Sequence, residues 1–139
     1  MPVKNFRDLD AWRVAMEAAL MIYKLIETLP ANERFEMASQ MRRAALSVPS
    51  NVAEGHGTRL RGRYRHHVRI ALGSTAELTT CIELGCRLGY WDMPTAHRMN
   101  GELVRVTQLL HGVLRSIRFQ IAAELGTALL ILGTCVMVL

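Results

Sequence analysis

Aromatic side chains are scarce in this 139-residue chain: 6% of residues, against an apolar total of 50%. Ala, Leu and Met carry much of the hydrophobic content instead, a mix that favours helices over strands, and an all-α fold is the expectation. The chain fits one domain and is long enough to bury a core without disulfides or metal. Its three cysteines, Cys81, Cys86 and Cys135, are an odd number without a paired metal-type spacing. They read as small, reduced hydrophobic residues of a cytoplasmic protein. Met1 to Asp10 is polar and the first apolar stretch is broken by Arg13, Glu17 and Lys24, so no secretory signal is expected.

Catalytic signatures are missing too. A di-iron bundle needs Glu-x-x-His pairs on facing helices, and none of the five histidines has a Glu three residues before it. His56 follows Glu54 by two and His66 adjoins His67, so neither pair makes a one-face ligand set. Cys81, Cys86, His97 and His111 read as core cysteines and surface histidines rather than a metal site. A phosphate-binding glycine loop, a nucleophile elbow and a zinc-protease motif are all absent. Neither enzymatic activity nor a cofactor or metal is expected.

The most telling absence is local. From Gly55 to Ala76 there is no acidic residue, yet Arg59, Arg61, Arg63, Arg65 and Arg69 fall there, equal in number to the formal net charge of +5 of the whole chain. With a pI of about 9.6, this clustering points to a polyanionic partner, nucleic acid or an anionic membrane surface. A solvated basic surface is the plainer alternative.

Hydrophobic spacing predicts four helices. Asp8 is a candidate N-cap for the first, on which Leu9, Trp12, Met16, Ala19, Tyr23 and Ile26 recur at three- and four-residue steps. Val14, Ala18, Met21 and Leu25 form a second stripe, giving more apolar surface than one bundle core requires; a subunit interface or a deeply buried helix would use it. Pro30 ends this helix and Asn32 is placed to cap the next, with Phe35, Ala38, Met41, Ala45, Val48 and Val52 inward. Pro49 removes a backbone hydrogen bond to Ala45, so a kink near Ser47 is expected, with Ser47, Ser50 and Asn51 bonding the disturbed backbone. Gly55 is a candidate C-terminal stop.

The third helix carries Tyr64, Val68, Ala71, Thr75, Leu78, Ile82 and Gly85 on one face, and Arg61, Arg65 and Arg69 on another. Cations at a helix N-terminus are mildly unfavourable, so a bound anion would explain their presence. Asp92 is the expected N-cap of the fourth helix, with Pro94 in its first turn and Ala96, Met99, Leu103, Val106, Leu110, Val113 and Ile117 inward. Short turns between such helices make an antiparallel up-down-up-down four-helix bundle over residues 1–118 the natural architecture. Glu54, Glu77 and Glu83, beside Arg42 and Arg43, are expected to form ion pairs that fix helix register or join subunits. Residues 119–139 form an apolar tail whose only charge is Glu124. Three readings of it stay open: a continued fourth helix packed on other subunits, a weak membrane anchor, or a segment altered by a changed reading frame.

Phe6-Arg7-Asp8-Leu9-Asp10-Ala11-Trp12, Leu29-Pro30, Glu33-Arg34-Phe35, the stretch Gln40 to Gly55, Ile70 to Leu78 and Leu88-Gly89-Tyr90 occur in an ordered series. Over about residues 5 to 118 this series resembles the bacterial four-helix-bundle proteins encoded in 23S rRNA intervening sequences. The resemblance implies an antiparallel bundle assembling as a homopentamer and binding nucleic acid, as in related accessory proteins of diversity-generating retroelements, and implies no enzymatic activity. The expected contact residues are Arg59, Arg61, Arg63, Arg65, His66 and Arg69, with Tyr64, His66 and His67 available to stack or hydrogen-bond. An oligomeric scaffold docking on an acidic protein partner is the alternative. A membrane partner is not expected.

Overall fold

The computed structural model describes the backbone of residues 4–136 and the side chains of residues 4–128. Four helices run in chain order: α1 (Asp10–Ile26), α2 (Met37–Gly57), α3 (Arg61–Arg87) and α4 (Met93–Val136), with single 3-10 turns at Phe6–Asp8 and Ala31–Glu33. Helix α1 packs on α2 and α4, and α3 packs on the same two, closing a four-membered ring. The pairings Ser47 with Ser74, Asn51 with His67 and Gly55 with Tyr64 run in opposite senses along α2 and α3. Cys86 beside Met93 and Arg61 beside Gln120 do the same for α3 and α4. Each neighbour is antiparallel, as the short connections require.

The core follows the hydrophobic spacing closely. On α3, Val68, Ala71, Thr75, Leu78, Ile82 and Gly85 are buried, and on α4 so are Ala96, Met99, Leu103, Val106, Leu110 and Ile117. On α2 the buried set includes Ala38, Met41, Ala45, Val48 and Val52. Their opposing partner on α1 is the face of Ala11, Val14, Ala15, Ala18, Ile22, Leu25 and Ile26. The stripe of Trp12, Met16 and Tyr23 therefore flanks the core instead of filling it. Met16, Leu20 and Tyr23 stay exposed at 37%, 60% and 41%, which excludes a deeply buried α1 within one chain.

Four local expectations are corrected. Asp8 does not cap α1: it closes a 3-10 turn capped by Asn5, and Leu9 stands at the N-cap without a side-chain bond. Asn32 does not cap α2, because residues 31–33 form their own 3-10 turn and α2 starts only at Met37. That delay swings Phe35 out of the core, leaving it 84% exposed. Gly55 does not stop α2, which continues to Gly57 with Gly55 buried inside it.

Helix α2 is also continuous through Pro49. Its disturbed turn is bridged by Asn51, whose Nδ2 donates to the Ser47 carbonyl at 2.9 Å and to Ser47 Oγ at 3.1 Å, while Ser74 Oγ donates to Ser47 Oγ at 2.8 Å across the α2–α3 interface. A polar link thus spans the interface where the proline costs α2 a backbone bond.

At 1.5 Å per residue, the 27 residues of α3 span about 40 Å and the 44 of α4 about 66 Å. α3 ends and α4 starts at the same turn, so the longer α4 overruns the bundle at the end where α3 begins. Among the residues whose side chains are described, the last buried one on α4 is Ile117. Cys135 lies outside the residues whose side chains are described.

Candidate nucleic-acid interface

The α2–α3 connection is only Thr58, Arg59 and Leu60. Thr58 ties it to α2, its N–H donating to the Glu54 carbonyl at 3.1 Å and its Oγ1 to the Gly55 carbonyl at 2.8 Å. Reversing the chain in so few residues forces one left-handed backbone conformation, and it falls on Arg59, φ 53°, not on Gly57 or Gly62 beside it. What Gly55 supplies is close approach: a Cβ there would lie 2.5 Å from Tyr64 Cδ2 and 3.0 Å from His67 Cβ. Tyr64 therefore seats on α2, half-buried, and burial pushes its hydroxyl pKa up to about 12. It is held against α2, with only part of its ring open to a ligand.

His67 is held against α2 as well. Its Nδ1 lies 2.9 Å from Asn51 Oδ1 and 3.7 Å from Glu54 Oε2. Because the Asn51 amide nitrogen is pinned to the Ser47 carbonyl, its oxygen faces the imidazole, and His67 Nδ1 is the donor. His66, by contrast, is exposed, as are Arg59, Arg63, Arg65 and Arg69.

The helical 100° step separates these cations. Arg61, Arg65 and Arg69, four apart, share one flank of α3, while Arg63 projects from the other. Arg61 differs from the rest: its guanidinium forms an ion pair with Glu124 of α4 and donates to the Gln120 carbonyl at 3.3 Å. It is the one arginine of the run with a carboxylate partner among the described residues. The antiparallel register brings Arg115 and Arg118 of α4 to this same end, both exposed. Sequence spacing missed these two because they lie some fifty residues from the run; pairing α3 with α4 through their short turn would have found them. The carboxylates that reach the run are Glu54, 3.7 Å from His67, and Glu124 on Arg61, while Asp10 at the start of α1, at the same end of the antiparallel bundle, pairs with Arg13.

The expected register pairs with Arg42 and Arg43 do not form among the described residues. Arg43 donates instead to Ser39 Oγ at 2.8 Å and Gln40 Oε1 at 2.6 Å on its own helix, and Glu83 pairs with Arg87 one turn on. Helical neighbours at i+3 and i+4 are simply nearer than the facing helix. At the opposite end of the bundle a cleft of about 550 Å³ opens between α1 and the α3–α4 turn, lined by residues including Lys24, Thr28, Tyr90, Trp91 and Arg98. Tyr90 there donates to Glu33 Oε1 at 2.6 Å, a bond that raises its pKa. Cys81 and Cys86 are free thiols, half-buried, with burial and then Glu77 pushing the Cys81 thiol up. The described residues hold no group of three or more His, Cys, Asp or Glu side chains arranged to grip a metal ion. No helix among them is long and apolar enough to cross a membrane.

A four-helix bundle with a basic end formed by the start of α3 and the facing part of α4 is a fold with a surface, and it has a family. Residues 7–112 match the model of the 23S rRNA-intervening sequence proteins, and the chain belongs to that family. Among solved structures it is similar to a protein of unknown function from the S23 ribosomal protein family of Bacteroides thetaiotaomicron. The two share 23% identity and a TM-score of 0.70, covering 76% of this chain and 95% of the other. No curated protein matches the chain.

Proposed function

We propose that this chain is a non-enzymatic, cytoplasmic nucleic-acid-binding protein that holds RNA or DNA phosphates at the basic end of its bundle and works as an oligomer. The observation that carries this reading is the unneutralised charge at that end: Arg59, Arg63, Arg65 and Arg69 are exposed and have no carboxylate within ion-pair distance among the described residues. Like charges crowded at a helix N-terminus oppose both one another and the helix dipole. Phosphates relieve both penalties, and His66 stands exposed among the arginines to hydrogen-bond or stack. Belonging to a family named for an rRNA insertion agrees with RNA as ligand.

Assembly as a homopentamer, which the resemblance implies along with kinship to the retroelement accessory proteins, is supported by the exposed strip of Met16, Leu20 and Tyr23 on α1. Repetition of the basic end around a ring would add avidity to individually weak contacts.

The test is a binding titration with labelled RNA and DNA across salt concentrations. Each phosphate contact contributes about −0.7 to the log–log salt slope on single strands and about −0.9 on duplex. Replacing Arg59, Arg63, Arg65 and Arg69 by Ala should flatten the slope and weaken binding without lowering the melting temperature. A wild-type protein with no salt-dependent binding to either nucleic acid ends this reading. The α1 strip also suits a scaffold whose ligand is an acidic protein; partners that persist in a pull-down after nuclease treatment would favour that role.

A further inference from the structure

We infer that the C-terminal extension of α4 withholds Arg61 from anionic ligands through Glu124, so that the extension sets how many arginines the basic end offers. This rests on the nucleic-acid reading above and concerns the regulation of that same surface.

Glu124 is the only charged residue between 119 and 139, and it meets the first residue of α3. The Arg61 guanidinium is satisfied twice by the extension, through the Glu124 carboxylate and the Gln120 carbonyl, which are one helical turn apart. Burial does little to hold the extension at this level. Phe119, Gln120 and residues 122–128 are exposed, and Ile121 alone is half-buried. The Arg61 clasp is thus the main described polar link between the overrunning part of α4 and the bundle. The same contact removes one cation from the flank that Arg61 shares with Arg65 and Arg69.

The clasp is exchangeable. Both side chains remain solvent-accessible, 34% for Arg61 and 64% for Glu124, and an exposed ion pair is weak. A phosphate offers the guanidinium a competing bidentate acceptor. Ligand and extension therefore compete for one side chain: a bound phosphate frees Glu124, and a held Glu124 leaves the flank one contact short.

The experiment is a double-mutant cycle in the full chain, R61A, E124Q and the double variant, read by Kd and salt slope on a labelled single-stranded RNA. E124Q should tighten binding about threefold at moderate salt and steepen the slope by about 0.7, the contribution of one phosphate contact. R61A should change little in the wild-type background and cancel the whole gain in the E124Q background. An R61A cost that is equal in both backgrounds, with a slope that E124Q leaves alone, overturns the clasp while the nucleic-acid reading stands. Wild-type protein that fails to bind at all overturns both.

Discussion

The two turns that flank α3 solve the same problem with opposite chemistry. At the α3–α4 turn, every local preference agrees. Gly89 takes the left-handed conformation, φ 78°, that lets Tyr90 N–H reach the Gly85 carbonyl at 2.9 Å and Gly89 N–H the Cys86 carbonyl at 3.1 Å, a Schellman ending. Trp91 lays its ring on Gly85 and donates from Nε1 to the Ile82 carbonyl at 2.8 Å, and Asp92 Oδ1 accepts from Thr95 N–H at 2.8 Å to cap α4. At the α2–α3 turn the left-handed residue is an arginine, α3 begins without a side-chain cap, and its first turn carries cations where a helix prefers anions. One end is arranged for stability, and the other accepts unfavourable terms that an anionic ligand would offset.

Gly85→Ala tests the stable end most severely. The added Cβ would overlap Trp91 Cζ2 and stand 2.6 Å from Cη2, so the indole must leave its bed and its bond to Ile82. A loss of about 3 kcal/mol in urea unfolding is expected, with altered tryptophan fluorescence; an unchanged midpoint would mean that the turn is looser than its contacts imply. Gly55→Ala probes the corresponding approach at the basic end. Tyr64 can yield by a ring shift, and alanine is the better helix former by about 1 kcal/mol, so the net loss should be nearer 1–2 kcal/mol.

Asp92 separates the two ends by pH. Its hydrogen bonds to Thr95 hold its carboxyl below the usual value of 3.8. A depressed folded-state value means that the stabilisation is fully present above the unfolded pKa and is lost as pH falls through the folded one. Acid melts should show this as a small decline below about pH 4; Asn at position 92 keeps the cap and should remove the Asp92 share of that decline. Arg59→Gly gives the smallest effect and the most diagnostic sign. Relief of the left-handed strain should stabilise the bundle by about 0.5–1 kcal/mol while weakening nucleic-acid binding. If stability and binding both fell, the strained-turn account would be wrong.

Legibility in the sequence followed the strength of the local signal. The faces of α3 and α4 were readable because long helices repeat the same stripe many times, so occasional mismatches do not shift its phase. The Asp92 cap was readable because a capping residue acts within one turn. Residues 27–36 misled because Asn32 has the chemistry of a cap, whereas the chain there spends a 3-10 turn first and rotates Phe35 outward. On α1, apolar residues nearly encircle the helix, so periodicity alone could not say which of two stripes faces inward. At the basic end, Arg61, Tyr64 and His67 are neighbours in sequence with different fates, decided by Glu124, Gly55 and Asn51 on other helices.

Composition and spacing by themselves determined an all-α bundle, its principal core positions, its terminal signal at Asp92, and the concentration of arginine in one short segment. Those properties are local or additive, and a linear pattern records them. Tertiary structure decided which arginines remain open, that Arg115 and Arg118 join them, and that Arg61 is held by the overrunning helix. The reason is geometric: antiparallel register brings residues dozens of positions apart to within hydrogen-bond reach, and only that proximity determines whether a charge faces solvent or a partner.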